Sequence, residues 1–414
     1  MSDSSLREIR AAEPMAPPQF HPEQEDRHYG RGRWLNRNLI GMGLASLLSD
    51  LGHEMATAIL PLFIVTIGAS PAALGMIEGF SDGASTFAKI AGGRLADQTR
   101  VRHAVASVGY LITGLATGSF ALAQSWLELL LARTVGWMAR GTRGPCRDNI
   151  LVDSVPAERV GTAFGFHRSA DTAGAILGPL LAMFLLHRIG FRWVFLVSLI
   201  PGVLSAAAFF LVVREPDGAA RLKQPFRGWA AATPASFRRF LLAVGVFGAG
   251  DFAHSMLVLR AADLMGSSAR AMSAAVGLYV VHNVAHALFD YPVGVLGDRY
   301  QRRYLLAAFY ALDVVATIGF AIGPRSLSAL AVLFVLEGTV MAAEETLEAA
   351  VATDLLPRDV RGAGFGILAA TNGIGDLASS VVVGLLWTQV SAHAAFGYGA
   401  LMSAIGALLL FSAV

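Results

Sequence analysis

Two stretches of sequence, Gly93-Arg-Leu-Ala-Asp97 and Gly294-Val-Leu-Gly-Asp298, decide the fold of this chain because they repeat each other at a distance of 201 residues. One match of this kind arises easily by chance, but the same ungapped shift also aligns two other regions. Self-similarity at a fixed offset is the mark of an internal duplication. The further matches carry Asp50, His53 and Met55 onto Asp251, His254 and Met256, and Asp153, Pro156, Gly161, Phe164 and Gly165 onto Asp354, Pro357, Gly362, Phe365 and Gly366.

The composition is that of a membrane protein. Only 15% of the 414 residues are charged and 55% are apolar, whereas an average soluble protein has about 25% charged residues. The net charge of +2 and the lack of a basic block beside aromatic residues exclude a nucleic-acid partner. A single cysteine, Cys146, excludes an internal disulfide framework.

Twelve apolar runs of about 20 residues predict twelve transmembrane helices and an all-α membrane fold. These predicted spans lie at 39–67, 71–95, 104–123, 126–149, 161–186, 191–213, 240–262, 271–297, 304–323, 327–351, 362–387 and 394–413.

Arginines predict the orientation and the domain organisation. They are concentrated before the first span and in every second loop, which places those loops and both termini in the cytoplasm. The proline-rich residues 1–38 contain no apolar run followed by a cleavage site, so we expect a disordered cytoplasmic tail. Residues 214–236 form the longest internal connection and divide a bundle at 39–213 from a bundle at 237–414. The expected location is a bacterial inner membrane.

The loop motif identifies a family resemblance. Gly294-Val-Leu-Gly-Asp298-Arg299-Tyr-Gln-Arg302-Arg303 resembles the loop between helices 2 and 3 in the major facilitator superfamily. Gly174-Ala-Ile-Leu-Gly178-Pro179 resembles the helix 5 signature of drug and metabolite antiporters. The resemblance implies two pseudo-symmetric six-helix bundles that rock around a midplane site, with no enzymatic activity and no cofactor. We expect a monomer whose partners are a small-molecule substrate, protons and the lipid bilayer.

The first span carries the candidates for proton coupling. Asp50, His53, Glu54 and Thr57 recur at a spacing that places them on one helical face. Ionisable groups in a membrane are costly and usually face a bundle interior or cavity. We therefore predict that Asp50 and Glu54 carry protons and that His53 modulates them, with Asp251 and His254 as their counterparts in the second half. Structural hydrogen bonding between helices is the alternative.

A second set of polar side chains predicts the substrate cavity. Glu78, Asp82 and Lys89 share one face of the second span. His282 and His286 have a spacing that can hold a metal ion, but a helical pair without a third fixed ligand favours structural packing or a pH-responsive hydrogen bond, and we expect no metal. The remaining cavity candidates are Trp137, Arg140, Asp171, Tyr279, Asp290 and Asn372.

Opposite charges predict a cytoplasmic gate. The 201-residue shift places Arg143 on Glu344 and Arg147 on Glu348, so these pairs can meet when that side closes and part when it opens. Pairing of each charge within its own half is the alternative. The loop motifs add four residues that we predict to pair when the cytoplasmic side is closed, and we call them latch residues. They are Asp97, Arg102, Asp298 and Arg302.

These expectations together predict a proton-coupled secondary transporter that exports a drug or a metabolite such as a siderophore. Two alternatives stay open. One is a proton-coupled symporter that takes up a nutrient, and the other is a membrane sensor of the same fold that transports nothing.

Overall fold

The computed structural model describes residues 35–96, 101–156, 159–216, 234–266, 268–357 and 361–413, and every long element among them is an α-helix. The helices are α1 (Arg37–Thr66), α2 (Pro71–Ala96), α3 (Arg102–Ser119), α4 (Trp126–Asp153), α5 (Val160–Val212), α6 (Ala235–Gly248), α7 (Ser255–Met265), α8 (Ala269–Arg299), α9 (Arg302–Ile322), α10 (Leu327–Leu355), α11 (Arg361–Gln389) and α12 (Ala392–Ala413).

The helix α5 comprises the fifth and sixth predicted spans. Its backbone leaves the helical region at Gly190, where φ is +74° and ψ is 170°. A residue without a Cβ adopts this φ at little cost, so glycine allows the chain to reverse there. The fifth and sixth spans therefore lie on either side of Gly190.

The seventh predicted span is broken. The apolar run predicts one helix at 240–262, but the structure has α6 and α7 with non-helical backbone between Ala249 and His254. Gly250 allows the break to approach α12 closely, since a Cβ there would lie 2.5 Å from Cβ of Met402. The predicted span ran through this break although Gly250, Asp251 and His254 interrupt the apolar run there.

The surface of the bundle suits a lipid environment. Eight helices in the described part of the chain are long and apolar enough to cross a membrane. Large apolar side chains such as Leu131, Phe184, Leu288 and Leu408 point outward and are more than half exposed. An apolar surface of this kind is typical of a chain surrounded by acyl chains rather than water.

The helix ends follow the 201-residue repeat. Adding 201 to Trp126 gives Leu327, which is the start of α10, and adding 201 to Asp153 gives Asp354, one residue before the end of α10 at Leu355. We call α1–α5 the N-terminal half and α6–α12 the C-terminal half. The boundaries of the predicted tail and linker stay predictions, since residues 1–34 and 217–233 lie outside the described residues.

The two halves are in contact towards one face of the bundle. We call the face where α1 begins and α12 ends the terminal face, and the face where α1 ends and α2 begins the opposite face. Near the opposite face a Cβ on Gly75 of α2 would lie 2.1 Å from the carbonyl oxygen of Ser380 of α11. The Asn283 side chain of α8 donates a 2.9 Å hydrogen bond to the carbonyl of Ala175 of α5.

Towards the terminal face the described helices leave open space beside four glycines. A Cβ on Gly93, Gly161, Gly165 or Gly366 would have no described neighbour within 4 Å. Gly165 and Gly366 are related by the repeat and belong to different halves. We call this arrangement, closed at the opposite face and open at the terminal face, terminal-open.

Candidate functional site

A cavity of about 470 Å³ lies between the halves and is lined by α1, α2, α4, α8, α10, α11 and the break between α6 and α7. The predicted residues that line it are His53, Glu54, Glu78, Asp82, Lys89, Trp137, Asp251, His254, Tyr279, Glu344 and Asn372. Its other polar or aromatic lining residues are Thr57, Thr86, Arg133, Phe252, Ser255, Glu345 and Asp376.

The lining is acidic. It holds seven carboxyl groups (Glu54, Glu78, Asp82, Asp251, Glu344, Glu345 and Asp376) against two lysine or arginine side chains (Lys89 and Arg133). A cleft with one dominant sign of charge attracts ligands of the opposite sign.

Close packing of α5 against α1 positions the acidic face of α1. A Cβ on Gly174 would lie 2.5 Å from the carbonyl oxygen of Leu47, and one on Gly178 would lie 3.0 Å from Cβ of Glu54. Only glycine permits this approach without displacement of α1. The helix 5 motif found in the sequence thus supports α1 at the level of its two carboxylates.

Two arginines on α4, the buried Arg133 and the half-buried Arg140, form ion pairs with acidic residues of α2 and α1. Arg133 contacts Glu78 at 2.5 Å, and both side chains are less than 5% exposed. Arg140 contacts both carboxylate oxygens of Asp50, at 2.8 and 3.2 Å. Each guanidinium also lies within 5.6 Å of the Trp137 ring centre. Asp50 and Arg140 therefore lie behind the cavity wall as a paired unit.

The Glu54 side chain joins the two halves. Its Oε2 accepts a 2.9 Å hydrogen bond from the Tyr279 hydroxyl of α8. Since Arg133 pairs with Glu78 and Arg140 pairs with Asp50, the direct hydrogen bond of Glu54 goes across the halves. Among the predicted proton-coupling residues in the described part of the chain, Glu54 is thus the one with a hydrogen bond to a side chain of the other half.

The break between α6 and α7 places Asp251 and His254 on the cavity wall. Two serines of α11 form hydrogen bonds with the backbone of this break. Ser379 Oγ donates to the Asp251 carbonyl at 2.5 Å, and the Ala253 amide donates to Ser380 Oγ at 3.1 Å. Non-helical backbone within a membrane needs partners of this kind, and it is found where it borders a cavity. His254 lies against His282, with ring centres 4.4 Å apart.

The predicted gate residues bond within their own halves in this structure. Arg143 donates to Ser49 at 2.9 Å and lies over the Tyr110 ring, and Arg147 contacts its neighbour Asp148. Glu348 accepts hydrogen bonds from Tyr310 and Asn372, and Glu344 lines the cavity. The charge pairs of the gate were predicted to separate when the cytoplasmic side opens. Their pairing across the halves when that side is closed stays a prediction.

The latch residues show parallel contacts in the two halves. Arg102 contacts Asp153 at 2.6 Å, and Arg302 contacts Asp354 at 2.9 Å. Asp153 and Asp354 are 201 residues apart. Arg102 also bonds Glu215, and Arg302 also contacts Asp298. Asp97 lies outside the described residues.

Besides Arg140, four predicted cavity residues lie away from the cavity lining. Asp171 contacts His167 at 3.3 Å on α5. His282 is 1% exposed and bonds Asn283. His286 and Asp290 face Glu345 of α10.

Arg133, Glu345, Asp313 and Glu337 are among the buried or cavity-lining charged residues that were absent from the predicted site. Arg133 could have been found, because it lies one turn before Trp137 on the predicted fourth span. Glu345 lies next to Glu344 but on another helical face. Asp313 and Glu337 are buried on α9 and α10; the signal for Asp313 was that it is the one carboxylate in its apolar run, and the signal for Glu337 was its place two turns before Glu344.

Known proteins resemble this chain over nearly its whole length. Residues 42–281 and 240–414 match the family described as the Major Facilitator Superfamily. An uncharacterized MFS-type transporter of Methanocaldococcus jannaschii is 29% identical over 91% of this chain and 95% of its own. The quinolone resistance protein NorA of Staphylococcus aureus is 21% identical over 44% of this chain and 46% of its own.

The fold is shared with solved structures. A bacterial homolog of the human lysosomal transporter Spinster, in an inward-facing and occupied conformation, superposes with a TM-score of 0.71. Its sequence is 19% identical, and the match covers 92% of this chain and 97% of that one. Sequence, fold and apolar helices agree, and this integral membrane chain belongs to the major facilitator superfamily of transporters.

Proposed function

We propose that this chain exports an organic cation from the cytoplasm in exchange for protons, by alternating access between the two halves. The observation that carries the proposal is the hydrogen bond from Tyr279 to Glu54, which connects an acidic residue in the cavity to the contact between the halves. The acidic lining supports a cationic substrate.

The proposed coupling follows from the chemistry of that hydrogen bond. An ionised carboxylate accepts a stronger hydrogen bond than a protonated one. Ionised Glu54 therefore favours the terminal-open arrangement in which Tyr279 reaches it, and protonated Glu54 favours release. A group that must change charge when the halves rearrange couples proton movement to the conformational exchange.

The charged groups around Glu54 come from three helices. Asp50 and His53 lie on α1, Arg133 and Arg140 on α4, and Tyr279 on α8. Because the two arginines are held by Glu78 and Asp50, they keep their positions while Tyr279 moves with its own half. The contact that changes is therefore the one to Tyr279.

Orientation and direction rest on two further features. The terminal face carries Arg102, Arg214, Arg299, Arg302 and Arg303, and the positive-inside rule favours its placement in the cytoplasm. The terminal-open state is then inward-facing. The Gly174–Pro179 motif and the partial similarity to a quinolone resistance protein favour export.

Proteoliposomes that contain the purified chain and a pH-sensitive dye in the lumen test this proposal. Ethidium added outside should raise the lumenal pH, because protons leave as the cation enters. Asp50→Asn and Glu54→Gln should abolish the change, whereas His393→Ala, at an exposed position on α12, should preserve it.

Nutrient uptake gives the opposite sign. If a neutral sugar or nucleoside lowers the lumenal pH while ethidium has no effect, proton symport replaces export. The proton-coupling proposal is wrong if no tested compound moves protons in the wild type. It is also wrong if every compound that moves protons in the wild type moves them equally in the Glu54→Gln variant.

A further inference from the structure

A cluster on α8 and α10 is not used by the proposed proton path. It consists of His286 and Asp290, one turn apart on α8, and Glu345 on α10. One ligand atom from each residue lies within 4.8 Å of the other two. His286 Nε2 is 3.5 Å from Asp290 Oδ1 and 3.6 Å from Glu345 Oε2.

His286 Nε2 lies within ion-pair distance of both carboxylate oxygens, but no hydrogen bond of ordinary length joins them. Distances of 3.5 and 3.6 Å are too long for hydrogen bonds. His286 Nε2 and Asp290 Oδ1 are nevertheless buried, and neither has a hydrogen-bond partner in the described part of the chain. Buried polar atoms are normally satisfied, so a pair left this way requires an explanation.

A metal ion provides one. Two ligands that bind a metal tetrahedrally through bonds of about 2.1 Å are about 3.4 Å apart. The distances from His286 Nε2 to the two carboxylate oxygens are close to this value. The separation is therefore typical of ligands around a shared cation.

We propose that His286, Asp290 and Glu345 bind one divalent transition-metal cation beside the cavity. One imidazole and two carboxylates form a mixed nitrogen and oxygen donor set, which suits Zn²⁺ or Mn²⁺ better than Mg²⁺. The side chains are 20%, 33% and 37% exposed, so the cation can reach them and keep water ligands.

The site also touches the contact between the halves. Nη1 of Arg168, on α5, lies 3.4 Å from Glu345 Oε2, which is the oxygen that faces His286. Arg168 is 67% exposed and can move away from Glu345. A bound cation and Arg168 compete for Glu345, so removal of Arg168 should strengthen metal binding.

Binding can be measured without a transport substrate. The full chain is purified in lipid nanodiscs, treated with a chelator and titrated with Mn²⁺, whose free signal in electron paramagnetic resonance falls on binding. Calorimetry with Zn²⁺ gives a second readout. We expect the wild type to bind one equivalent of metal. Glu345→Gln and His286→Ala should each lower the affinity by about tenfold or more, and Arg168→Gln should raise it.

Two controls separate this site from adventitious binding. His393→Ala removes an exposed histidine on α12 and should bind as the wild type does, and Mg²⁺ should not compete. If the wild type binds no metal, or if His286→Ala and Glu345→Gln with wild-type melting curves bind as tightly as the wild type, the site does not exist. Neither result bears on Glu54, so the proposed proton coupling is tested separately.

Discussion

Tyr279 of α8 donates a hydrogen bond to Glu54 of α1 at 2.9 Å, and these two residues belong to different halves of the chain. Both line the cavity. A motion that separates the halves on this side must break the bond. The state of one carboxylate and the position of the two bundles are thereby linked.

Tyr279→Phe removes the hydroxyl and keeps the ring. A buried hydrogen bond contributes about 0.5–1.5 kcal/mol, and a buried carboxylate left without its partner costs about 1–3 kcal/mol. We expect the population of the terminal-open state to fall several-fold, which spin labels on the terminal face can measure. An unchanged population would show that the bond contributes nothing to this state.

Gly75→Ala tests the close contact of α2 with α11. Its Cβ would lie 2.1 Å from the backbone oxygen of Ser380, and an overpacked contact costs about 1–3 kcal/mol. Since that contact belongs to the terminal-open state, the ratio of the two states should change by about 5- to 150-fold towards terminal-closed. Gly397→Ala, on α12 and without a described neighbour within 4 Å, should leave the ratio unchanged.

Arg133→Met tests the buried pair on α4 and α2. The change leaves Glu78 buried without its counter-charge, at a cost of about 3–5 kcal/mol. Thermal unfolding in micelles should show a large loss of stability, and the double variant with Glu78→Gln should recover much of it. Arg270→Ala, an exposed arginine on α8, is the matched control and should change stability by less than about 0.5 kcal/mol. Equal stability of the wild type and the Arg133→Met variant would mean that the pair is not a structural unit.

Charge reversal tests the predicted gate. Arg147→Glu should reduce the terminal-closed population and ethidium exchange, because it places two negative charges together when that face closes. Glu348→Arg in the same chain should restore part of both. No recovery in any combination of reversed pairs among Arg143, Arg147, Glu344 and Glu348 would exclude a gate between the halves.

The repeat made much of the fold predictable from the sequence. Helix starts at Trp126 and Leu327 obey the 201-residue shift, and the motif at Gly174 and Gly178 lies where α5 contacts α1. The spacing of Asp50, His53, Glu54 and Thr57 predicted one polar helical face, and His53, Glu54 and Thr57 line the cavity. Periodicity within one helix is a local property, and a single sequence reveals it.

Contacts between helices were not predictable in the same way. The third member of the His286–Asp290 cluster, Glu345, comes from another helix, and its approach depends on how α8 packs against α10. The break at Asp251 depends on α11 serines that bond its backbone. Partner choice across helices is a tertiary property, and hydrophobic patterns do not encode it directly.

The most direct test of the central claim measures distances between the halves as pH changes. Spin labels at Gly165→Cys and Gly366→Cys report on the terminal face, and labels at Gln124→Cys and Arg325→Cys report on the opposite face. Cys146 is fully buried and should remain unlabelled. On acidification the first distance should shorten while the second lengthens, and Glu54→Gln should remove at least half of both changes. Distances that do not change reciprocally, or a Glu54→Gln variant with undiminished changes, would contradict the account.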